Sequence, residues 1–178
     1  MKNTNIKSMC LTGVGVALFV VLSLCIQVPI FENYYLCLGY IVFGFFCYFM
    51  GTFSSVIVGS LGVVLYCLLI NGLRGMPGWA VANIVIAIIV SLVCKFTENM
   101  QNKKARHIII LASVVISVAI GILGAKSIVE GFLYAQPFAL RVAKNVYAFV
   151  SDVVVMGISI PICYKLEPAV KNKLKEIR

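Results

Sequence analysis

The 178-residue chain is 62% hydrophobic and only 12% charged, and its mean hydropathy is +1.05. Soluble domains are about half apolar and about a quarter charged, so these proportions exclude a water-soluble globular fold and indicate a chain that lies in a lipid bilayer. The formal net charge of +9 does not indicate nucleic-acid binding, because the basic residues cluster at the ends of apolar runs and are not interleaved with aromatic residues.

The apolar runs predict an all-α membrane protein with six transmembrane helices in a single domain, 1–178. A helix needs about 20 residues to cross about 30 Å of hydrocarbon. The predicted spans, in chain order, are 8–26, 37–51, 54–70, 79–95, 108–132 and 144–164. The first is interpreted as a retained helix, because it is too long for a signal-peptide core and no small-residue cleavage pattern follows it. The basic segment 165–178 is predicted to be a short amphipathic helix at the lipid surface.

The distribution of lysine and arginine predicts that both termini are cytoplasmic. With the N-terminus inside, the four outer positions are Arg74, Lys126, Arg141 and Lys144. The inner positions hold the rest of the 15 basic residues: Lys2, Lys7, Lys95, Lys103, Lys104, Arg106, Lys165, Lys171, Lys173, Lys175 and Arg178. This excess agrees with the positive-inside rule and predicts a multi-pass membrane protein with six spans.

Two polar segments lie between apolar helices on the predicted outer side. They are the loop "QVPIFENYYLCLG", 27–39, and the turn "GLRGMPGWAVAN", 72–83. Irregular backbone at membrane depth is tolerated only where protein covers it or where it lines a cavity, and a charge there costs at least about 2.5 kcal/mol. We therefore predict an outer pocket. Its candidate binding residues are Glu32, Asn33, Tyr34, Tyr35, Arg74, Trp79, Asn83, Glu130, Lys144 and Asn145.

The turn at 72–83 is expected to use the conformational freedom of glycine. Gly72, Gly75 and Gly78 admit positive φ, and Pro77 fixes its own φ. Such a turn would hold Arg74 and Trp79 over the pocket. Because the loop 27–39 is predicted to lie outside, its Cys37 is expected to react with an impermeant thiol reagent.

Each of these residues also has a structural interpretation. Trp79, Tyr34 and Tyr35 are equally typical of aromatic residues at a membrane interface. Lys126 and Glu130 have the spacing of an ion pair on one helix. Asp152 shares one face of the last helix with Arg141, Asn145 and Ser159, and it is either a ligand contact or the partner of a polar group on helix 4 or 5.

Small residues on two helices indicate close helix packing. Gly13, Gly15 and Ala17 on helix 1 would let a partner helix approach, or they would pack inside the protein. Ser55, Gly59 and Gly62 offer a similar surface on helix 3.

Catalysis and metal binding find no support in the sequence. There is no phosphate-binding loop and no HExxH motif, and the single histidine, His107, sits at a span edge and offers no plausible Ser/His/Asp set. The seven cysteines form no CxxC pair and are interpreted as small buried hydrophobic residues. We expect a protein that is not an enzyme and has no cofactor, so any ATP is hydrolysed by another chain.

The chain resembles the substrate-binding S components of energy-coupling factor (ECF) vitamin transporters, and within them the riboflavin-type group. The resemblance rests on the "GxGxALF" start of helix 1 from Gly13 to Phe19, on Pro29 in the first loop, on the glycine-rich region from Gly39 to Gly62, and on the turn from Gly75 to Trp79. Two positions depart from the family pattern. Helix 1 has Gly13-x-x-x-Ala17 in place of Ala-x-x-x-Ala, and Tyr40 follows Leu38-Gly39 where many relatives carry an acidic residue.

The resemblance implies a module that captures a water-soluble vitamin or related compound with a flavin, pyridoxine-like or pyrimidine ring. It would dock through Gly13, Gly15 and Ala17 onto a membrane T component that carries two cytoplasmic ATPases, and it would topple in the membrane to release the ligand inside. The alternatives are a small homodimeric secondary carrier and a membrane scaffold without a transport function.

Overall fold

The computed structural model describes residues 6–25, 27–31, 34–70 and 72–175. Within them, helices follow one another through most of the chain, with one β hairpin between the first two. The elements in order are α1 (Ile6–Cys25), β1 (Gln27–Phe31), β2 (Tyr34–Cys37), α2 (Gly39–Phe49), α3 (Thr52–Leu69), α4 (Met76–Phe96), α5 (Lys103–Val118), a π-helical segment (Ala119–Lys126), α6 (Ser127–Tyr134) and α7 (Phe138–Lys175).

The all-α membrane architecture is confirmed in outline, whereas the count of six spans stays a prediction. Among the described residues, five helical stretches are long and apolar enough to cross a membrane: Ile6–Cys25, Thr52–Leu69, Met76–Phe96, Lys103–Tyr134 and Phe138–Val170. The predicted second span is α2, which has only 11 residues. At about 1.5 Å per residue α2 is shorter than the hydrocarbon layer, so it depends on its neighbours to cover its ends.

Two boundaries differ from the sequence prediction. The last span begins at Phe138 and continues through the predicted tail to Lys175, with Pro161 and Pro168 inside the helix. The prediction of a separate short tail helix is therefore wrong for the residues that the structure describes. Proline removes one backbone donor but does not end a helix whose other turns are well packed.

The segment between α1 and α2 was predicted as a loop, but it contains an antiparallel hairpin. Gln27 pairs with Cys37, Val28 with Leu36 and Pro29 with Tyr35, and the register shifts between Pro29 and Phe31. Aromatic and β-branched residues on both sides of a polar turn are the usual signal of such a hairpin. Proline is tolerated in β1 because the sheet has only two strands, so each strand has an edge that needs no donor.

We call the end of the helix bundle that carries this hairpin, the α3–α4 turn and the α6–α7 corner the hairpin end. The opposite end, from which the last turns of α7 extend, is the tail end. Large apolar side chains are exposed along the helices between the two ends, as lipid contact requires, and examples are Phe53 at 72%, Ile116 at 56% and Ile158 at 54%.

Aromatic side chains fill the interior where glycines leave room for them. A side chain on Gly59 would meet the ring of Phe43, and one on Gly62 would meet the ring of Phe19, both at less than 3.0 Å. Tyr40 lies between these two rings, with centroids 6.2 Å from Phe19 and 5.7 Å from Phe43. The small-residue surface predicted on helix 3 therefore faces the core.

The tail end is held by an ion pair between Arg106, which is buried, and Glu167, which is partly exposed. Arg106 Nη1 donates to both carboxylate oxygens of Glu167, at 2.8 and 3.0 Å, and the Tyr48 hydroxyl donates to the same carboxylate at 2.9 Å. The Arg106 guanidinium also stacks on the Tyr48 ring, 5.2 Å from its centroid. These contacts join α5, α7 and α2.

Candidate ligand-binding site

Polar side chains from four helices converge inside the hairpin end, and we call them the outer cluster. Lys126 and Glu130 come from the π segment and α6, Asn145 and Asp152 from α7, Asn83 from α4 and Tyr40 from α2. None of the six is more than 7% exposed. Helical spacing explains the convergence: Lys126 and Glu130 are four residues apart, and Asn145 and Asp152 are seven apart, so each pair shares one helix face.

Glu130 is the centre of the charged half of the outer cluster. Its carboxylate lies 3.9 Å from Lys126 Nζ and 3.8 Å from Arg141 Nη1. Asn145 Nδ2 donates to Glu130 at 3.1 Å and to the Ser127 hydroxyl at 3.0 Å. The structure thus brings the predicted residues Glu130 and Asn145 together, and it confirms the interpretation that Lys126 and Glu130 pair with each other.

Asn83 is the centre of the uncharged half. Its Oδ1 accepts from the Tyr40 hydroxyl at 2.8 Å, and its Nδ2 donates to the Gly59 carbonyl at 3.0 Å. Trp79 Nε1 donates to the Tyr40 oxygen at 2.9 Å, so three polar side chains form one continuous chain of hydrogen bonds. The Trp79 ring meets the edge of Tyr66 at a centroid distance of 5.6 Å. Trp79 and Asn83 were predicted, whereas Tyr40 was noted only as a departure from the family pattern.

Asp152 connects the two halves. It is 5% exposed, and its carboxyl group lies near the Tyr40 hydroxyl and interacts electrostatically with the Lys126 ammonium. Lys126 lies within the predicted fifth span, 108–132, so the structure supports the interpretation that Asp152 has a polar partner on that helix, and it adds Tyr40 on α2 as a second neighbour. The acidic group next to Tyr40 is therefore supplied by Asp152, on α7.

Tyr134 covers the outer cluster at the hairpin end, and sequence reasoning missed it. Its ring lies 4.3 Å from the Arg141 guanidinium and 5.8 Å from that of Arg74, measured to the ring centroid. Its hydroxyl donates to the backbone carbonyl of Arg74. An available signal was the spacing, since Tyr134 stands four residues after Glu130 and so on the same face of α6.

The glycines of the α3–α4 turn act differently from the expectation. Gly51 is the glycine with positive φ among the described residues, so Gly72, Gly75 and Gly78 do not use that freedom. Gly78 instead lies inside α4, where an added Cβ would stand 3.0 Å from Glu130 Cγ and 3.2 Å from Lys126 Cγ. Its missing side chain is what lets α4 approach α6 so closely.

The remaining predicted residues lie around the outer cluster or outside the described part of the chain. Arg74 is exposed, and Trp79 and Lys144 are half-buried. Tyr34 and Tyr35 form the first half of β2, opposite Phe31 and Pro29. Glu32 and Asn33 fall outside the described residues.

Cys37, at the end of β2, does not offer the reachable thiol that was expected. It is 5% exposed, and its sulfur lies 2.9 Å from the Ser23 hydroxyl. Burial raises the pKa of the Cys37 thiol to about 12. The thiolate is the nucleophile that attacks a thiol reagent, so this buried, protonated thiol contradicts the expectation of ready labelling.

The three small residues of α1 do not share one face. Gly13 and Ala17 are exposed, and a side chain on Gly13 would meet nothing within 4 Å. Gly15 is buried, and a Cβ there would stand 2.3 Å from the Phe46 ring. Gly13 and Ala17 thus remain free for a partner helix, whereas Gly15 serves internal packing.

The outer cluster offers donors, acceptors and aromatic faces rather than a metal centre. No group of three His, Cys, Asp or Glu side chains suited to a metal occurs among the residues that the structure describes. An open groove of about 410 Å³ adjoins the cluster at Ser127, and the rest of its lining is Ile128, Gly131, Phe132, Gln136 and Phe138, of which the large apolar side chains are exposed.

Comparison with known proteins gives a consistent result. The family profile described as "ECF-type riboflavin transporter, S component" matches residues 3–167. A UPF0397 protein of Streptococcus thermophilus strain CNRZ 1066 is 25% identical over 173 residues, which cover 89% of this chain and 92% of the relative. A UPF0397 protein of strain LMG 18311 is 26% identical over 175 residues, with the same coverage. No solved structure matches the chain.

Proposed function

The chain belongs to the S-component family of ECF-type riboflavin transporters, and we propose that it is the substrate-binding subunit of an ECF importer in the cell membrane. In this role it captures a water-soluble vitamin or related small molecule at the extracellular face. It has no catalytic site of its own and needs no cofactor, because partner ATPases use the ATP.

The observation that carries this proposal is the outer cluster itself. Lys126, Glu130 and Asp152 are all at most 7% exposed within apolar helices. Ionisable groups at membrane depth are expensive, and in membrane proteins they face a partner, a cavity or a ligand. A scaffold that only had to span the bilayer would have no need of them.

The side chains of the cluster fit a flat ring with polar edges. Trp79 and Tyr66 supply aromatic faces, while Asn145 and Lys126 supply donors and Glu130 an acceptor. Binding sites combine apolar and aromatic walls with a few polar groups that fix orientation. A flavin, a pyridoxine-like ring or a pyrimidine has this character.

Ligand retained by the purified protein tests the proposal. The chain is purified from its native membrane in mild detergent, and the bound small molecules are released and identified by mass spectrometry. We expect one ring compound of this class at close to one equivalent per chain. If the protein retains nothing and binds no flavin, pyridoxine or pyrimidine in titration, the proposal is wrong.

Docking to the membrane T component is assigned to the exposed face of α1. Gly13 and Ala17 lie on that face, where small residues allow close helix approach. Gly13→Leu should abolish co-purification with the T component and its two ATPases while ligand affinity stays within about threefold, since the substitution is remote from the cluster. Ala112→Leu, a small-to-large change on the exposed face of α5, is the matched control. Normal partner binding by Gly13→Leu would remove α1 from the interface.

A further inference from the structure

Three elements meet at one tyrosine at the hairpin end. Tyr134 ends α6, Arg74 lies in the α3–α4 turn and Arg141 in the first turn of α7. The Tyr134 ring interacts with both guanidinium groups, and its hydroxyl bonds the backbone of the turn. Removing this one side chain would release the turn from the helical corner.

The outer cluster lies directly beneath this junction. Glu130 is one helical turn below Tyr134 on α6, and Lys126 is one turn further. Arg141 contacts both levels, since it stacks on Tyr134 and lies 3.8 Å from Glu130. A movement of Arg141 therefore changes the junction and the charged half of the cluster together.

The helices behind the junction leave no passage. At Gly78, α4 and α6 approach so closely that a single Cβ would stand 3.0 Å from Glu130. A ring compound is far larger than one methyl group, so it cannot pass between these helices as they stand. Access along this side requires the turn and the corner to separate.

The contacts that hold the junction together are weak enough to break and form again. Arg74 is exposed and Tyr134 only half-buried, and cation–π contacts at exposed sites are weak. The corner itself is held at Ala135, a non-glycine residue with φ of 50°, a conformation that costs free energy for an L-residue. A closed state held this weakly exchanges with a minor open one.

We infer that Tyr134, Arg74 and Arg141 form a latch that gates ligand entry to the outer cluster. The inference rests on the proposed function for the identity of the ligand but not for the motion itself. In the closed state the Tyr134 ring bridges the turn and the corner. When it swings out, Arg141 is released from its stack and α4 can part from α6.

Cys67 provides a native reporter of the opening. It is 2% exposed and lies under the α3–α4 turn, where Gly72 N donates to the Cys67 carbonyl at 2.8 Å. The rate of its modification by a small water-soluble methanethiosulfonate is measured on the purified chain by mass spectrometry of the Cys67 peptide. We expect Tyr134→Ala to raise this rate about tenfold or more, as a larger open population requires.

Two further variants calibrate the result. Tyr134→Phe removes only the hydrogen bond to Arg74 and should raise the rate about threefold, the effect of one net hydrogen bond. Leu133→Ala removes a large apolar side chain that is 55% exposed on the same helix, and it should change the rate by less than about twofold. Wild-type labelling rates in correctly folded Tyr134→Ala, or in Tyr134→Phe if the alanine variant does not fold, would overturn the latch.

Riboflavin binding separates this inference from the proposed function. Riboflavin is the probe, and quenching of its fluorescence reports binding. If the wild type binds it, Tyr134→Ala should speed dissociation about tenfold, because the closed state no longer retains the ligand; an unchanged rate would overturn the latch as a ligand gate. If the wild type does not bind riboflavin, that ligand is removed from the proposed function, and the Cys67 rates alone decide whether the latch exists.

Discussion

The two ends of the bundle use the same residue types at very different distances. At the tail end, Arg106 and Glu167 are 2.8 Å apart and share the carboxylate with Tyr48. At the hairpin end, Glu130 has Lys126 at 3.9 Å and Arg141 at 3.8 Å. The first distance is that of a charge-assisted hydrogen bond, whereas the other two are ionic contacts that are too long for one.

This difference in distance distinguishes an ion pair that stabilises the fold from a group of charges that suits ligand binding. The tail-end pair has direct hydrogen bonds that fix three helices. The charges at the hairpin end are close enough to compensate one another in the apolar interior but loose enough to rearrange. A ligand that supplies polar groups can enter such an arrangement without breaking a strong bond, which is what the proposed function requires.

The largest expected effect tests how well the hairpin end is closed. Cys37 is buried there, and its raised pKa of about 12 means that less than about a thousandth of it is thiolate near neutral pH, since each unit of separation is a factor of ten. Cys25, exposed at the end of α1, is the control. In the folded protein at pH 7, maleimide labelling of Cys37 should be far slower than that of Cys25. Equal rates for the two thiols at pH 7 would show that the hairpin end is open.

Breaking the tail-end tie should cost the most stability. Glu167→Ala removes the charge-assisted hydrogen bonds from Arg106, worth about 1.5–3 kcal/mol, and the hydrogen bond from Tyr48, worth about 1 kcal/mol. Thermal unfolding in detergent measures the loss. Glu167→Gln keeps an acceptor for Tyr48 and Arg106 and should lose clearly less. Near-wild-type stability in Glu167→Ala would mean that the tie does not hold the bundle.

The uncharged half of the outer cluster should show a smaller, mixed effect. Asn83→Ala leaves the buried Tyr40 hydroxyl without its acceptor, which costs about 1–3 kcal/mol. The Gly59 carbonyl lies inside α3 and keeps its helical hydrogen bond when Asn83 Nδ2 is lost. Trp79→Ala removes a half-buried ring with a single donated bond, so its effect on unfolding should be the lesser. Both variants should weaken ligand binding at least about tenfold, a difference of about 1.4 kcal/mol. Unchanged affinity in both folded variants would remove this half from the site.

The smallest effect concerns the α6–α7 corner. Ala135→Gly should stabilise the fold by about 0.5–1 kcal/mol, because glycine adopts the left-handed conformation without the steric cost but loses more entropy on folding. Ala143→Gly, at an exposed position inside α7, should instead destabilise by about 1 kcal/mol. A loss of stability in Ala135→Gly would show that the corner is not under strain.

The pattern of apolar residues predicted most of the helices. α1, α3 and α4 begin and end within three residues of the prediction, because the length of an apolar run decides a membrane span. The hairpin was missed because a polar, proline-bearing segment between helices was taken for a loop. The extension of α7 was missed because the basic segment after 164 was taken for a separate surface helix. Which proline a helix tolerates depends on packing that the sequence does not display.

Some residues of the candidate site could be predicted from the sequence and others could not. Glu130, Asn145 and Asp152 could be predicted because charged and amide groups are conspicuous in apolar helices. Tyr40 could not, because its role arises from a contact with Asn83, which is 43 residues away in the chain, and a tyrosine in an aromatic-rich chain carries no signal of such a partner. For Tyr134, the spacing from Glu130 indicated the shared face of α6, but nothing in the sequence indicated the contact with Arg74, which is 60 residues away.

One paired titration tests the central claim that the hairpin end, not the tail end, holds the ligand. Riboflavin, or the compound identified by mass spectrometry, is titrated into the wild type, Glu130→Gln and Glu167→Gln under identical conditions. Both variants replace a carboxylate by an amide of the same shape. We predict that Glu130→Gln weakens binding at least about tenfold, the loss of one hydrogen bond to a charged group, while Glu167→Gln stays within about threefold. Wild-type affinity in Glu130→Gln together with a large loss in Glu167→Gln would contradict the account.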